Sequence, residues 1–302
     1  MVPLRHALAQ GPMLRALGGV ALAAILPRRH RARPATPGPW LSAELPPRPE
    51  ALVHDYLAHL GVDPATYRGH LPVHLFPQWG FPLALRTLAD LPYPYGRAVN
   101  AGCRIDVRAP LPAGEPLLVR ARLEAIDDDG RRAWITQRLI TGTRSAPEAM
   151  TAELRVHIPL RGKGGGSGAR APKARPAVPA EAVALTTLRI DARAGLDFAL
   201  LTGDFNPIHW VPPYARLAGF PSTILHGFAT LARALEALNA GPFAGDPGRL
   251  RSIDVRFTKP LVLPARVSVY TTPDGGVWIG DSPGSEAYLE GRFASTETET
   301  PP

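Results

Sequence analysis

Two short segments that recur at nearly one spacing constrain this chain more than any other feature. Ile105-Asp106-Val107-Arg108 returns as Ile253-Asp254-Val255-Arg256, 148 residues later. Upstream, Gly80-Phe81 with Arg86 and Leu88 returns as Gly227-Phe228 with Arg233 and Leu235, at an offset of 147. Two independent matches at nearly one offset indicate an internal duplication, so the fold has to be built from two like units. A chain of 302 residues is long enough for each unit to own a core.

The two units read alike. Phe81, Ala84, Leu85 and Leu88 in one, and Phe228, Leu231, Leu235 and Leu238 in the other, recur at helical spacing and predict helices over about 79–91 and 226–239. After the first helix, strands are predicted at 103–108, 115–126, 132–143 and 151–158, with Asp127–Gly130 turning a hairpin. After the second they are predicted at 252–258, 265–272, 276–280 and 288–293, with Pro273-Asp274-Gly275 turning one pair. One long helix plus an antiparallel sheet, twice over, is an α+β architecture. The second unit has a lead-in: a strand at 185–190, Asp191 as helix N-cap, a helix through Phe198 to Leu201, and Gly203 as its left-handed C′ residue.

Between the units, residues 161–180 run Arg-Gly-Lys-Gly-Gly-Gly-Ser-Gly and on into Pro172, Pro176 and Pro179, which reads as a linker. A phosphate loop is excluded there, because no Gly-Lys-Ser/Thr ending is present and no helix pattern opens. The domain reading is a basic and apolar leader at 1–38, a first unit at 39–160, the linker, a second unit at 181–296, and a tail at 297–302. The leader's apolar stretch from Met13 to Pro27 resembles the core of a signal peptide. The arginines that follow at once, and the lack of a small-x-small cleavage site, favour a peripheral amphipathic helix or a disordered leader instead. Its uninterrupted run, Ala16–Leu26, is well short of the roughly 20 residues that span a bilayer, so no integral membrane association is expected.

The net charge of +8 suits an anionic partner. Much of it sits in Arg28–Arg33 and Arg161–Arg175, without interleaved aromatics or a recognised motif, so nucleic acid is not the expected partner. Cys103 is the only cysteine, which rules out an intrachain disulfide and a thiolate metal cluster. It reads as a small buried residue in a cytoplasmic protein.

The segment richest in chemistry is Gly203-Asp204-Phe205-Asn206-Pro207-Ile208-His209, followed by His226-Gly227 at the head of the second long helix. An acid and an imidazole five apart cannot share a helix face, and Pro207 blocks helix continuation. Asp204 and His209 therefore sit on an irregular loop. The helix that opens at Gly227 has free N–H groups at its start. Acid, base and anion site in one stretch outline an active site.

Phe198-Ala-Leu-Leu-Thr-Gly-Asp-Phe-Asn-Pro-Ile-His209, with Gly219-Phe220 and Leu225-His226-Gly227, resembles the hydratase 2 motif of the MaoC-like (R)-specific enoyl-CoA hydratases and dehydratases. The tandem plan over 40–300 is similar to the double hot-dog members of that family, in which a degenerate first copy precedes a motif-bearing second one. The resemblance implies that Asp204 and His209 form a catalytic dyad and that the Gly227 N–H serves as oxyanion donor, its missing side chain allowing close approach of a thioester. Water addition to an enoyl thioester needs such a base, a proton donor to the α-carbon and an oxyanion donor. Asn206 reads as holding the loop through side-chain to backbone bonds. Asn206, Ser222, His226 and Trp79 are the candidates for substrate contact, with an orienting or packing role as the alternative for His226, a turn role for Ser222 and plain core for Trp79.

Rival chemistries lack their parts. No third ligand stands at metal spacing beside His209 and His226, the calcium-loop start at Asp204-x-Asn206 fails at Ile208, and no Gly-x-Ser-x-Gly elbow occurs. No metal or redox cofactor is expected; coenzyme A or carrier-protein pantetheine belongs to the substrate. In the first unit Trp79-Gly80-Phe81 replaces His226-Gly227-Phe228, and the upstream segment carries no Asp-x-Asn-Pro-x-His. That unit is expected to serve as pseudo-dimer partner and acyl-chain wall, with His70 and His74 packing or exposed. The function expected is reversible hydration of trans-2-enoyl thioesters, of CoA or acyl carrier protein, to (R)-3-hydroxyacyl thioesters. A hot-dog thioesterase and a non-catalytic acyl-binding subunit are the alternatives, and a homodimer of the tandem unit is open.

Overall fold

The computed structural model describes residues 2–11, 13–15, 18, 33–89, 91–94, 98–160 and 175–296. Most of the apolar run Ala16–Leu26, the arginines at 28–31, the Gly-rich part of the linker (161–174) and the tail (297–302) lie outside the described residues.

The first half contributes β1 (Leu41–Leu45), α1 (Glu50–His59), α2 (Pro77–Leu88), β2 (Val99–Val107), β3 (Leu117–Asp128), β4 (Arg132–Gly142) and β5 (Met150–Pro159). The second contributes β6 (Val183–Ile190), α3 (Ala194–Thr202), α4 (Pro212–Leu217), α5 (Gly227–Ala240), β7 (Leu250–Phe257), β8 (Ala265–Thr271), β9 (Gly276–Gly280) and β10 (Leu289–Ser295). The strands alternate as half-buried antiparallel strands must: in β5, Met150, Ala152, Leu154, Val156 and Ile158 face inward while their neighbours are half-buried.

All ten strands form one antiparallel sheet in the order β1-β3-β4-β5-β2-β7-β10-β9-β8-β6. Read from either end, the order is the same with β1 exchanged for β6, β3 for β8, β4 for β9, β5 for β10 and β2 for β7. The repeat seen in the sequence is therefore a pseudo-two-fold axis in space, and it passes through the β2–β7 seam. There Ile105 pairs with Ile253, its own counterpart. The equivalent Phe81 and Phe228 also meet, edge to face with centroids 5.1 Å apart. Arg155 of β5 crosses the seam to the Asp254 carboxylate and donates to the Val255 carbonyl at 3.0 Å. The intrachain pseudo-dimer is thus one continuous sheet with a shared core beneath it.

Several expectations need correction. Asp191 is not the N-cap of α3. Its carboxylate accepts the Arg193 N–H at 2.8 Å in a turn ahead of the helix, and Arg193 occupies the cap position without a side-chain bond to the helix N–H groups. A short acid side chain reaches the backbone two residues on more readily than a helix start one turn away. The leader is not detached: Val2, His6, Gln10 and Met13 are buried, and Leu4–Gln10 forms a 3-10 helix against α3. The linker ends before its assigned boundary, because Val178 is buried and its N–H donates to Ser285 O at 2.9 Å. Elements β1 and α1 lie where the sequence reading assigns nothing. No described helix is long and apolar enough to cross a membrane.

Candidate active site

Helix α3 stops because Gly203 takes φ 85°, ψ 0°, a left-handed geometry that costs glycine little. That turn projects Asp204, whose side chain is 16% exposed and whose carboxylate accepts the Asn206 N–H. Asn206 Oδ1 in turn accepts the Ile208 N–H at 3.3 Å and starts the 3-10 turn Pro207–His209. This places Asn206 as a loop-holding cap with an exposed side chain.

His209 Nδ1 faces the Ile224 carbonyl at 2.8 Å. A carbonyl only accepts, so Nδ1 carries the proton and Nε2 presents a lone pair. His226, the residue before α5, is 1% exposed and stacks on His209 with centroids 3.6 Å apart and planes 27° apart. Its Nε2–H donates to the Asp204 main-chain carbonyl at 3.0 Å, and its Nδ1 is buried without a partner among the described residues. His226 thus grips the backbone of the acid and braces the ring of the base.

Asp204, His209 and His226 each place a donor atom within 4.8 Å of the other two, so a third ligand does stand beside the two histidines, contrary to the sequence expectation. Sequence spacing could not show this, because the loop folds back across 22 residues. The rings are nevertheless stacked, and the in-plane lone pairs of near-parallel imidazoles do not converge on one tetrahedral ion. The arrangement fits water better than zinc. Asp204 and His209 are close but not hydrogen-bonded to each other, a gap that one water bridges with two ordinary bonds.

The electrostatics follow from burial. Burial raises the Asp204 pKa above 3.8, against the opposing pull of His209 and of the Asn206 N–H. Burial likewise lowers His209 below 6.5, against the Asp204 charge and the Ile224 bond. His226 is pushed well below 6.5 by burial and then by His209, so it stays neutral. Burial thus moves the two pKa values toward each other, against the attraction within the pair, which suits passing one proton back and forth.

Gly227 is the first residue of α5, and its N–H has no partner among the described residues. A Cβ there would lie 2.6 Å from the Phe257 ring. The missing side chain is therefore first a packing requirement of β7, a reason the sequence reading lacked. Ser222 lies half-buried in a bend before α5. Trp79 belongs elsewhere: it is buried in the first half and donates to Thr141 Oγ1 at 3.2 Å.

Two supports escaped the sequence reading. A Cβ on Gly195 of α3 would lie 1.9 Å from the His209 carbonyl oxygen, so only glycine lets that loop close down. A glycine inside a helical stretch is the signal that could have found it. From the N-terminus, Gln10 Nε2 donates to the Leu200 and Leu201 carbonyls, both at 3.1 Å, and Met13 packs on Gly203. This satisfies the open end of α3 just where Asp204 is launched.

Residues 173–281 match the family model of the MaoC like domain. The chain is 40% identical over 165 residues to 3-hydroxyacyl-thioester dehydratase Y of Mycobacterium tuberculosis, covering 52% of this chain and 55% of that protein. It is 32% identical over 163 residues to the peroxisomal enoyl-CoA hydratase 2 of Arabidopsis thaliana, covering 51% and 52%. The chain thus spans about half the length of these curated relatives. In fold it is similar to the crystal structure of HtdX from M. tuberculosis, with a TM-score of 0.68 at 23% identity over 85% of this chain and all of the other. A further M. tuberculosis protein described as a double hotdog fold aligns with a TM-score of 0.56 at 14% identity, over 86% of this chain and 96% of its own. The match to the MaoC like domain thus falls on the motif-bearing second half of the chain, within a fold similar to that of the double hotdog structure.

Proposed function

We propose that the second half hydrates trans-2-enoyl thioesters to (R)-3-hydroxyacyl thioesters and runs the reverse dehydration. The observation that carries this is that Asp204 and His209 lie within 4.8 Å of each other without a direct hydrogen bond, while the helix that starts right after their neighbour His226 opens with the unpartnered Gly227 N–H. Relatives named as a thioester dehydratase and an enoyl-CoA hydratase support the same reaction class.

In the forward direction Asp204 holds the water and His209 Nε2 takes one of its protons as the oxygen bonds to the β-carbon. The π electrons move onto the thioester oxygen, where the Gly227 N–H and the positive end of α5 meet the charge. The enolate then collapses as the Asp204–His209 pair returns a proton to the α-carbon. One water is added and nothing is oxidised, so the step needs no redox cofactor. The carrier, CoA or a carrier protein, is part of the substrate, and a net charge of +8 suits either anion.

The test is a panel of enoyl-CoA esters of graded chain length, followed by loss of enoyl absorbance with chiral analysis of the product. Hydration to the (R) alcohol is the expected result. Free thiol released without loss of the double bond would replace the reading with a thioesterase, and binding without turnover would leave an acyl-binding module. A purely (S) product would overturn the stereochemical assignment.

A further inference from the structure

A cavity of about 150 Å³ has neither Asp204 nor His209 in its lining. Its apolar walls come from both halves: Leu71, Val107 and Leu111 from the first, Leu235 and Leu250 from the second. Leu235 stands eight residues beyond Gly227 on α5, about 12 Å along the axis at 1.5 Å per residue. The cavity is therefore remote from the proposed oxyanion donor.

Its polar lining offers little to a ligand. Tyr67 donates to Glu236 Oε1 at 2.7 Å, His74 Nε2 lies 2.8 Å from the same oxygen, and Asn239 donates to Oε2 at 3.0 Å. His74 Nδ1 is taken by Tyr56 at 2.8 Å. These groups satisfy one another and His70 Nδ1 lies 3.2 Å from the Tyr67 carbonyl, so beside Thr66 the inner wall is left mainly to the apolar side chains, which suit an alkyl chain. A dry apolar cavity of roughly this volume holds a six-carbon ring.

The rim differs. Arg68 and Arg251 both line the cavity, both are exposed, and neither guanidinium has a hydrogen bond or ion pair among the described residues. The carboxylate beside them, Asp246, already accepts the Gly248 N–H at 3.0 Å. Two free guanidinium groups against one engaged carboxylate give the rim a net positive charge, and guanidinium matches carboxylate in geometry.

We propose that this cavity is a second binding site, one that takes a free medium-chain fatty acid with its alkyl end inside and its carboxylate on Arg68 and Arg251. The site stands whether or not the second half is a hydratase.

Octanoate is the probe, titrated calorimetrically into the full chain, with octylammonium as the control of equal tail and opposite head. The wild type is expected to bind octanoate saturably and octylammonium at least about tenfold more weakly. The double variant Arg68→Glu/Arg251→Glu is expected to lose at least about tenfold in octanoate affinity while its enoyl-CoA hydration stays at the wild-type rate. Both arginines are exposed, so the variant keeps its fold, which its unfolding midpoint checks. No saturable octanoate binding by the wild type, equal binding of the two heads, or unchanged affinity in the double variant would each overturn the proposal. Failure of the hydratase assay alone would count only against the catalytic reading.

Discussion

His209 and His226 lie ring on ring, with centroids 3.6 Å apart, yet each is turned to a different main-chain carbonyl: His209 to Ile224, His226 to Asp204. One imidazole keeps a lone pair for chemistry, and the other spends its N–H on holding the acid. This division of labour yields distinct expectations for the two residues.

On the proposed mechanism, removing His209 or neutralising Asp204 removes general acid–base catalysis, which contributes about 10²–10⁴-fold. His209→Ala and Asp204→Asn are expected to fall by that factor in kcat with unchanged far-ultraviolet circular dichroism. The acid limb of kcat/KM reports the free enzyme's pair, and burial places it below pH 6.5. In Asp204→Asn the carboxylate that raises His209 is gone, so the limb of the residual activity moves further into acid. A limb that moved toward neutrality would contradict this electrostatic account.

His226→Phe keeps a ring against His209 but deletes the donor to Asp204 O. A buried carbonyl left without its donor costs about 1–3 kcal/mol, which a chemical denaturation midpoint measures. Because His226 touches no reacting atom in the proposed step, kcat is expected to fall while the pH of the acid limb stays near the wild-type value. Loss of activity as deep as that of His209→Ala would instead assign His226 direct chemistry.

Gly195→Ala introduces a Cβ that overlaps the His209 carbonyl oxygen, so the loop must move. A displacement of about 1 Å at a catalytic group costs roughly 10²-fold in rate. Steady-state kinetics on this variant are expected to show that loss in kcat with an intact fold. Wild-type kinetics would mean that the loop tolerates the shift.

Glu236 joins the second half's helix to Tyr67 and His74 of the first. Burial pushes its carboxyl up, but the bonds and charge of His74, then Tyr67 and Asn239, outweigh this and hold it below 4.5. A carboxyl depressed by folding stabilises the protein above its unfolded pKa, and the gain is lost as pH falls through the folded value. Breaking this buried pair with Glu236→Gln is expected to cost about 3–5 kcal/mol at pH 7. The gap between variant and wild type then narrows below pH 4.5. A constant gap across that range, in urea titrations at successive pH values, would show that the charge is not what stabilises.

Much of this is legible in the amino-acid sequence alone. The offset of 147–148 residues fixed which residues become symmetry partners, and Ile105–Ile253 and Phe81–Phe228 are those partners in contact. The long helices and the strands of both halves follow from apolar periodicity, and the Asp204–His209 loop from proline and glycine chemistry. What stayed hidden depends on contacts distant in sequence. Nothing local in Gln10 or Met13 announces that they close the end of a helix 190 residues away. Phe257 explains Gly227, and the His209 backbone explains Gly195, only once the chain is folded. Helix α1 has a short buried stripe, Leu52, Tyr56 and Leu57, too brief to stand out among the prolines that precede it.

The β2–β7 seam also changes what a substitution can do. In a dimer of identical chains, any replacement at the position of Trp79 and His226 would enter both sites at once. Here the two halves are paired as a dimer would be but are written separately in one gene product. A buried tryptophan can complete one core while, across the same axis, a histidine grips the acid of the other. Covalent linkage frees the two symmetry mates to diverge, so stability and chemistry need not compete for one residue.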